Sequence, residues 1–381
     1  MNKKMNKIEK LIAELCPEGV EHKPLGEIAT ITRGVRVVKS QLTEDGKYPV
    51  YQNSMTPLGY YEASNCPANT AFVISAGAAG EIGYSTIDFW AADDCFYFVC
   101  PEQLQSRFLY YALLCQQNYL FSRVRRASVP RLARSVVEGV IIPIPPLAVQ
   151  QEIVKILDTF TTLEAELEAE LEARKKQYEY YRDELLTFGD EVEWKTLGEI
   201  GKVSMCKRIF KNETLAIGDI PFYKIGTFGK EPDAFISREL FDEYRNKFSF
   251  PKKGDVLLSA SGTIGRCVIY DGEPAYFQDS NIIWIDNDES KVLNKFLYYL
   301  YAIIEWKTEG GTIQRLYNDN LKKIKIPIPP LSEQERIVAI LDKFDALVND
   351  ISVGLPAELN ARRKQYEYYR DKLLTFKERH A

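Results

Sequence analysis

Arg174-Lys175-Lys176-Gln177-Tyr178-Glu179-Tyr180-Tyr181-Arg182-Asp183-Glu184-Leu185-Leu186-Thr187-Phe188 returns almost unchanged as Arg362-Arg363-Lys364-Gln365-Tyr366-Glu367-Tyr368-Tyr369-Arg370-Asp371-Lys372-Leu373-Leu374-Thr375-Phe376. A repeat of this kind means two copies of one structural plan, and every local reading has to respect it. The copies extend upstream. Ile142-Pro143-Ile144-Pro145-Pro146-Leu147 recurs as Ile326-Pro327-Ile328-Pro329-Pro330-Leu331, and an Ile-Val-x-Ile-Leu-Asp-x-Phe phrase comes next at 153–160 and 337–344. Further back, Val20-Glu21-His22-Lys23-Pro24-Leu25-Gly26-Glu27-Ile28 matches Val192-Glu193-Trp194-Lys195-Thr196-Leu197-Gly198-Glu199-Ile200. Each half therefore predicts a globule followed by one long helix, over 147–188 and 331–376, each on the order of 60 Å at about 1.5 Å per residue.

Apolar residues along these helices space mostly as a coiled-coil seam: Ile153, Phe160, Leu163, Leu167, Leu171, Tyr178, Tyr181 and Leu185, then Ile337, Phe344, Leu347, Ile351, Leu355, Leu359, Tyr366, Tyr369 and Leu373. The second helix has one more step of four. The Pro-rich copies accordingly lie 184 residues apart and the Arg-Lys-Gln-Tyr copies 188. Gly354-Leu355-Pro356 interrupts the second helix, where a proline predicts a kink. A short amphipathic helix over 8–16 is expected to take the place that the end of the long helix takes in the second half. The order is then cyclic, with the chain ends free to meet. The fold class is α+β: two globular mixed α/β domains joined by two long antiparallel coiled-coil helices, with a pseudo-twofold internal duplication. The expected divisions are 1–20, 21–146, 147–190, 191–330 and 331–381.

The globules are rich in Gly, Pro and Tyr, and runs such as Ala71-Phe72-Val73-Ile74 and Cys95-Phe96-Tyr97-Phe98-Val99 read as strands. Phe108 to Leu114 and Phe296 to Tyr301 read as matching helices. Between strands and helix sits a Gly-rich loop, Ser75-Ala76-Gly77-Ala78-Ala79-Gly80-Glu81-Ile82-Gly83, with Ser259-Ala260-Ser261-Gly262-Thr263-Ile264-Gly265 as its counterpart. At 381 residues with 45% hydrophobic and 12% aromatic content, the chain has ample material for two packed cores. Seven cysteines without a C-x-x-C pair, and only two histidines, His22 and His380, argue against zinc and for free thiols in a reducing compartment. The basic start Met1 to Lys7 is followed by a stretch broken by Glu9, Lys10 and Glu14, neither a signal peptide nor a membrane span, so a cytoplasmic protein is expected.

A net charge of −5 averages acidic helices with local basic segments. Ser122 to Arg134 carries five arginines and no acid, the footprint of nucleic-acid backbone contact, and its equivalent keeps Arg315 after Thr312-Ile313-Gln314 and adds Lys322, Lys323 and Lys325. A charge run is also, more blandly, a solvated face; two at matching positions favour nucleic acid. Thr32-Arg33-Gly34-Val35-Arg36 and Cys206-Lys207-Arg208 push the same way. The Gly-rich loops could cradle phosphate through backbone N–H groups, or be plain tight turns; neither is a P-loop. Three tyrosines at 178, 180 and 181 go round the helix, so some must meet another surface. Glu193-Trp194-Lys195 lacks the Pro-Asp strand of a nuclease, and Ile-Pro-Pro-Leu lacks the acid or amide that precedes the prolines in amino-methyltransferases. No catalytic constellation emerges.

The paired Ile-Pro-Ile-Pro-Pro-Leu segments, Gln150 and Glu333-Gln334 after them, and the duplicated Arg-Lys-Gln-Tyr-Glu-Tyr-Tyr-Arg-Asp resemble the specificity (S) subunit of a type I restriction-modification system over essentially the whole chain. The resemblance implies two target-recognition domains, over 21–146 and 191–330. Each would read one half of a bipartite site in double-stranded DNA, with the helices as a ruler between them. It implies two modification subunits that bind those helices and methylate adenine with S-adenosylmethionine, and restriction subunits that cleave with ATP and Mg; this chain would bind no cofactor or metal itself. Candidate DNA contacts are Arg33, Arg36, Gln52, Asn53, Ser75, Gly77, Arg123, Arg125, Arg126, Arg131, Lys207, Arg208, Lys224, Ser261, Gly262 and Arg315. Candidate partner contacts are Tyr178, Tyr180, Tyr181, Arg182, Tyr366, Tyr368, Tyr369 and Arg370. Two other classes compete: a self-contained methyltransferase or nuclease, and a coiled-coil scaffold indifferent to DNA.

Overall fold

The computed structural model describes residues 7–43, 45–309 and 314–379. The basic start up to Asn6, Thr312, Ile313 and His380 lie outside them. The chain divides into two compact units, one built from the chain up to Glu168 together with Glu358 onward, the other from Ala169–Ala357.

Both units repeat one topology. In the first, β1 (Glu21–Pro24) pairs antiparallel with β9 (Ile141–Ile144), which carries the Ile-Pro-Ile-Pro phrase. A four-stranded antiparallel sheet runs β2 (Thr30–Arg33), β8 (Cys95–Val99), β5 (Thr70–Ile74), β6 (Ile82–Ser85). A smaller sheet orders β4 (Gly59–Tyr61), β3 (Tyr48–Tyr51) and β7 (Trp90–Ala91). In the second unit the same three sheets are β10 (Glu193–Thr196) with β18 (Lys325–Ile328); β11 (Gly201–Ser204), β17 (Ile282–Asn287), β14 (Val256–Ser259), β15 (Cys267–Ile269); and β13 (Phe235–Ile236), β12 (Ile220–Tyr223), β16 (Tyr276–Phe277). The apolar runs 71–74 in β5 and 256–258 in β14 are unbroken because both faces of each strand are covered. Side chains alternate across a strand, so Ala71 and Val73 join the core under the helix Ser106–Cys115, while Phe72 and Ile74 join a second cluster with Cys66 and Phe89. In β14, Val256 and Leu258 face one core and Leu257 the other.

A glutamine fixes each globule to its long helix. The central helix, Leu147–Leu185, begins just after Pro146, and Gln150 in its first turn is fully buried. Its Oε1 accepts from Gln105 N at 2.9 Å, and its Nε2 donates to Gln103 O at 2.9 Å and Pro145 O at 2.8 Å. Gln334 repeats this with Leu293 N, Lys291 O and Pro329 O. Two turns on, Asp158 accepts from Tyr111 Oη and Arg107, and Asp342 from Tyr299 Oη and Lys295.

Two expectations are corrected. The second long helix is two helices, Leu331–Val348 and Leu355–Leu374. The Asp350 carboxylate takes Ser352 N and Oγ, and Gly354 N closes on Asp350 O at 3.0 Å. A Cβ on Gly354 would lie 2.3 Å from Ala346 O. Pro356 then stands in the first turn of the new helix, where its missing N–H costs nothing. The sequence break is a stop and restart, not a kink, and Ile351, counted in the seam, is 82% exposed. Leu163 in the central helix is likewise 46% exposed. The second correction concerns the N-terminal helix, Lys7–Leu15. The place filled by Leu186 in the second unit is filled in the first by Leu374, from the end of the C-terminal helix. The N-terminal helix is an addition, seated through Ile8 and a Lys7–Glu152 ion pair. The start of the first globule meets the C-terminal segment: Val20 N donates to Lys377 O at 2.8 Å and Arg379 N to Val20 O at 3.0 Å.

Candidate nucleic-acid interface

In the first unit, the Gly-rich loop joins the neighbouring strands β5 and β6, rather than strands to helix, and three other segments close on it. Ala78 N donates to Asn53 O at 2.9 Å, and Gly77 adopts φ +80° with Asn53 O so near that a Cβ would stand 2.6 Å from it. Only glycine fits there. Gln52 O receives the Cys95 thiol. From the turn between β7 and β8, Asp94 O accepts from Ser75 N at 2.7 Å, while Arg33 Nε donates to Asp93 O at 2.7 Å. From the arginine-rich segment, Pro130 O accepts from Gly77 N and Leu132 N donates to Ser75 O, and a backbone pair between Arg125 and Arg131 closes that segment on itself.

Arg33, Gln52, Asn53, Ser75, Gly77, Arg125 and Arg131, scattered over about a hundred residues of sequence, thus belong to one loop cluster. Arg36, Arg125, Arg126 and Arg131 are exposed, and among the described residues none is paired with a carboxylate. Arg123 lies over the Tyr119 ring at 5.2 Å. Much of this loop's backbone is already engaged: the N–H groups of Ser75, Gly77, Ala78, Gly80 and Glu81 all donate to protein carbonyls, so these five are not available to cradle a phosphate. Charge here comes from side chains.

The second unit gathers the equivalent pieces. Ala260 N donates to Asn281 O and Leu316 N to Ala260 O, which makes Ala260, not Ser259, the counterpart of Ser75. Ser261 therefore matches Ala76, and its backbone bridges Arg315 as Ala76 bridges Arg131. Gly262 packs against Ile225. Here the cations are engaged. Arg208 Nε binds Asp279 Oδ2 at 2.9 Å, Lys224 Nζ binds Asp233 at 2.8 Å, Lys207 Nζ lies over the Phe248 ring at 5.0 Å, and Arg315 Nη2 donates to both Ser280 O and Ser280 Oγ at 2.8 Å. Sequence reading missed the turns 92–94 and 279–281 that both clusters close around. The Asp, Ser and Asn residues just before a buried strand were the available signal.

The tyrosines sort into two kinds. Phe160 stacks on Tyr369 at 5.5 Å and meets Tyr366 at 6.5 Å; Phe344 stacks on Tyr181 at 5.8 Å and meets Tyr178 at 6.5 Å. Burial pushes the Tyr178 hydroxyl up to about 12. Arg182 and Arg370 lie over the Tyr178 and Tyr366 rings and bind the adjacent Asp183 and Asp371. Tyr180 and Tyr368, by contrast, are 65% and 61% exposed. All seven cysteines are free thiols, and the described residues hold no group of three His, Cys, Asp or Glu side chains placed for a metal. Among them no helix is long and apolar enough to cross a membrane.

Two copies of one α+β unit, each closing four segments into a loop cluster at the ends of its strands, define a duplicated recognition protein. Residues 17–173 and 189–361 each match the family described as type I restriction modification DNA specificity domain, and the chain belongs to that family. It is 50% identical over 371 residues to a putative type I restriction enzyme specificity subunit of Haemophilus influenzae, covering 94% of this chain and 96% of the relative. With the EcoR124I/EcoR124II specificity subunit of Escherichia coli it shares 39% identity over 257 residues, 62% of this chain and 63% of that one. The fold resembles the crystal structure of a type I S subunit from M. genitalium, with a TM-score of 0.59 at 19% identity over 93% of this chain and 96% of the other. Its role is DNA recognition as the specificity subunit of a type I restriction-modification system, and it is a non-catalytic component of that enzyme.

Proposed function

We propose that the two loop clusters, within 21–146 and 191–330, each read one half of a bipartite site in double-stranded DNA, and that the helices set the gap between the halves. The observation that carries this is the convergence of separate polar and cationic segments on equivalent places in both units, while the loop residues themselves differ. Two modification subunits dock on the helices through Tyr180 and Tyr368, exposed residues set in an identical sequence in both units. Equal surfaces suit two copies of one partner. Those subunits use S-adenosylmethionine, and restriction subunits use ATP and Mg, in the cytoplasm. Because the net charge is −5 and the central helix is Glu-rich, stable DNA binding requires the assembled complex.

Mapping methylated adenines in cells with and without the chain tests the reading: a bipartite motif that vanishes with the chain is expected, and methylation that persists removes it. Equal affinity of the isolated chain and the complex at matched salt would overturn the requirement for assembly. Tyr180→Ala with Tyr368→Ala should lower the number of modification subunits bound, read by native mass spectrometry; unchanged stoichiometry would move docking elsewhere.

A further inference from the structure

The equivalent arginines of the two clusters are used differently. Arg131 is exposed, with no side-chain bond among the described residues, whereas Arg315 is half-buried and turned inward. Its backbone is held on both sides, by antiparallel bridges to Ser261 and Glu309. Its Nη2 donates to the carbonyl and the hydroxyl of Ser280. Ser280 sits at φ +54°, and among the described residues only it and Asn69 adopt positive φ without being glycine. That conformation disfavours a residue with a Cβ and persists only where its surroundings enforce it. The neighbours are tied down as well. Arg208 binds the Asp279 carboxylate, Ser261 Oγ donates to Asn281 Oδ1 at 2.8 Å, and Gln278 Oε1 accepts from Ile225 N at 2.9 Å. Every residue from 278 to 281 is therefore fixed by a side-chain bond. In the first unit, the matching Asp93 has ordinary backbone and a single tie, from Arg33 to its carbonyl.

We infer that Arg315 and Arg208 are positioning residues, which hold the strained turn 279–281 in the shape that reads bases of the second half-site, and are not phosphate contacts. This rests on the reading of the clusters as DNA-facing. A guanidinium whose donors go to a carbonyl, a hydroxyl or a carboxylate of its own unit has less to offer a phosphate, while a turn fixed at four consecutive residues presents its edge with little freedom left to lose. Lysine does not replace arginine in such a role, because it is a point charge on a flexible stem with no planar fork.

The test uses the full chain assembled with its modification subunits, and two readouts: the salt dependence of DNA affinity, and the bases selected from DNA randomised in either half-site. Arg315→Ala and Arg208→Ala should each relax selection in the second half-site, leave the first unchanged, and leave the salt slope unchanged. Arg315→Lys should behave like Arg315→Ala. Adding Ser280→Gly to Arg315→Ala should recover selection, since glycine adopts the positive φ unaided. A slope lower by about 0.9 with unaltered base selection, restored by lysine, is the signature of a phosphate contact and would overturn the inference. Should Arg315→Ala not assemble, Arg208→Ala carries the test, and an Arg208→Ala that lowers the slope without changing selection is equally fatal. A wild-type complex that selects no bipartite site fails the proposed function instead, and the two failures are distinct.

Discussion

Where the two units fasten sheet to helix they are one design twice, and where their loops close they are two designs. Gln150 and Gln334 make the same three hydrogen bonds, Asp158 and Asp342 take the same tyrosine and a cation, and Phe160 and Phe344 meet the same pair of tyrosines. In the loop clusters the backbone bridges, the glycines and one arginine, Arg131 or Arg315, survive, but the arginine is put to a different use. The first cluster leaves Arg125, Arg126 and Arg131 without a carboxylate partner among the described residues, and the second uses Arg315 and Arg208 to brace a turn. The difference teaches where each constraint lives: fastening is set by backbone groups that any copy must satisfy, whereas the loop side chains are free to diverge once the bridges hold.

The largest expected effect tests the shared fastening. Gln150→Leu leaves one N–H and two carbonyls without their partner at a fully buried side chain. At about 1–3 kcal/mol for each unmet buried group, the loss should be on the order of 3 kcal/mol or more by chemical denaturation, and Gln334→Leu should match it. A loss under about 1 kcal/mol in one variant alone would show that water replaces that glutamine, and that the two fastenings are not equivalent.

Next comes the pair of links, continuous in the central helix and broken at 349–354. Ala165→Pro, in the interior of the continuous helix, should cost about 3 kcal/mol. Pro356→Ala should change stability by no more than about 0.5 kcal/mol, since at the start of a helix no acceptor waits for its N–H. Comparable costs at the two sites, by thermal or chemical unfolding, would mean that the break carries strain and is more than a restart.

The contrast in charge is sharpened by salt. Arg125→Ala and Arg126→Ala in the assembled complex should each lower the slope of log affinity against log salt by about 0.9 while leaving both half-site sequences unchanged. Base selection altered at constant slope would make the first cluster a reader of the second kind and erase the distinction.

Legibility in the sequence divides along the same line. The duplication, the central helix, the strands β5 and β8 and the helices beside them are legible, because apolar period and repeated phrases encode them directly. The candidate arginines are legible as a charge run. What Arg315 does is not, because its partner Ser280 is 35 positions away and the strained φ leaves no mark in composition. The off-by-one pairing of Ser75 with Ala260 is hidden for a related reason: the matched serines are a coincidence of spelling, while the equivalence is set by which carbonyl each N–H reaches. The break at Gly354 is visible in the sequence, but a proline alone understates it. A glycine pressed against Ala346 O, with an Asp-Ser turn before it and a proline after, ends one helix and starts another.

The finest change expected is one base pair. Leu-Glu-Ala-Glu occurs at 163–166 and again at 167–170 in the central helix. One more copy adds about 6 Å and, at 3.6 residues per turn, rotates the remainder of the helix by about 40°. A base pair of B-DNA advances about 3.4 Å and turns about 35°. The rotation nearly matches one base pair, while the rise exceeds it, so the DNA or the second link has to take up the excess; residues 349–354, which are not helical, are suited to that. Four residues also keep the leucine stripe on one face, where one or two would swing it round. Duplicating 167–170 should therefore leave both half-site sequences intact and lengthen the unspecified gap by one base pair in the methylome of cells carrying the variant. An unchanged gap would take the ruler role away from this segment, and altered half-site bases would mean that helix length reaches into the loop clusters, against the independence of fastening and reading on which the comparison rests.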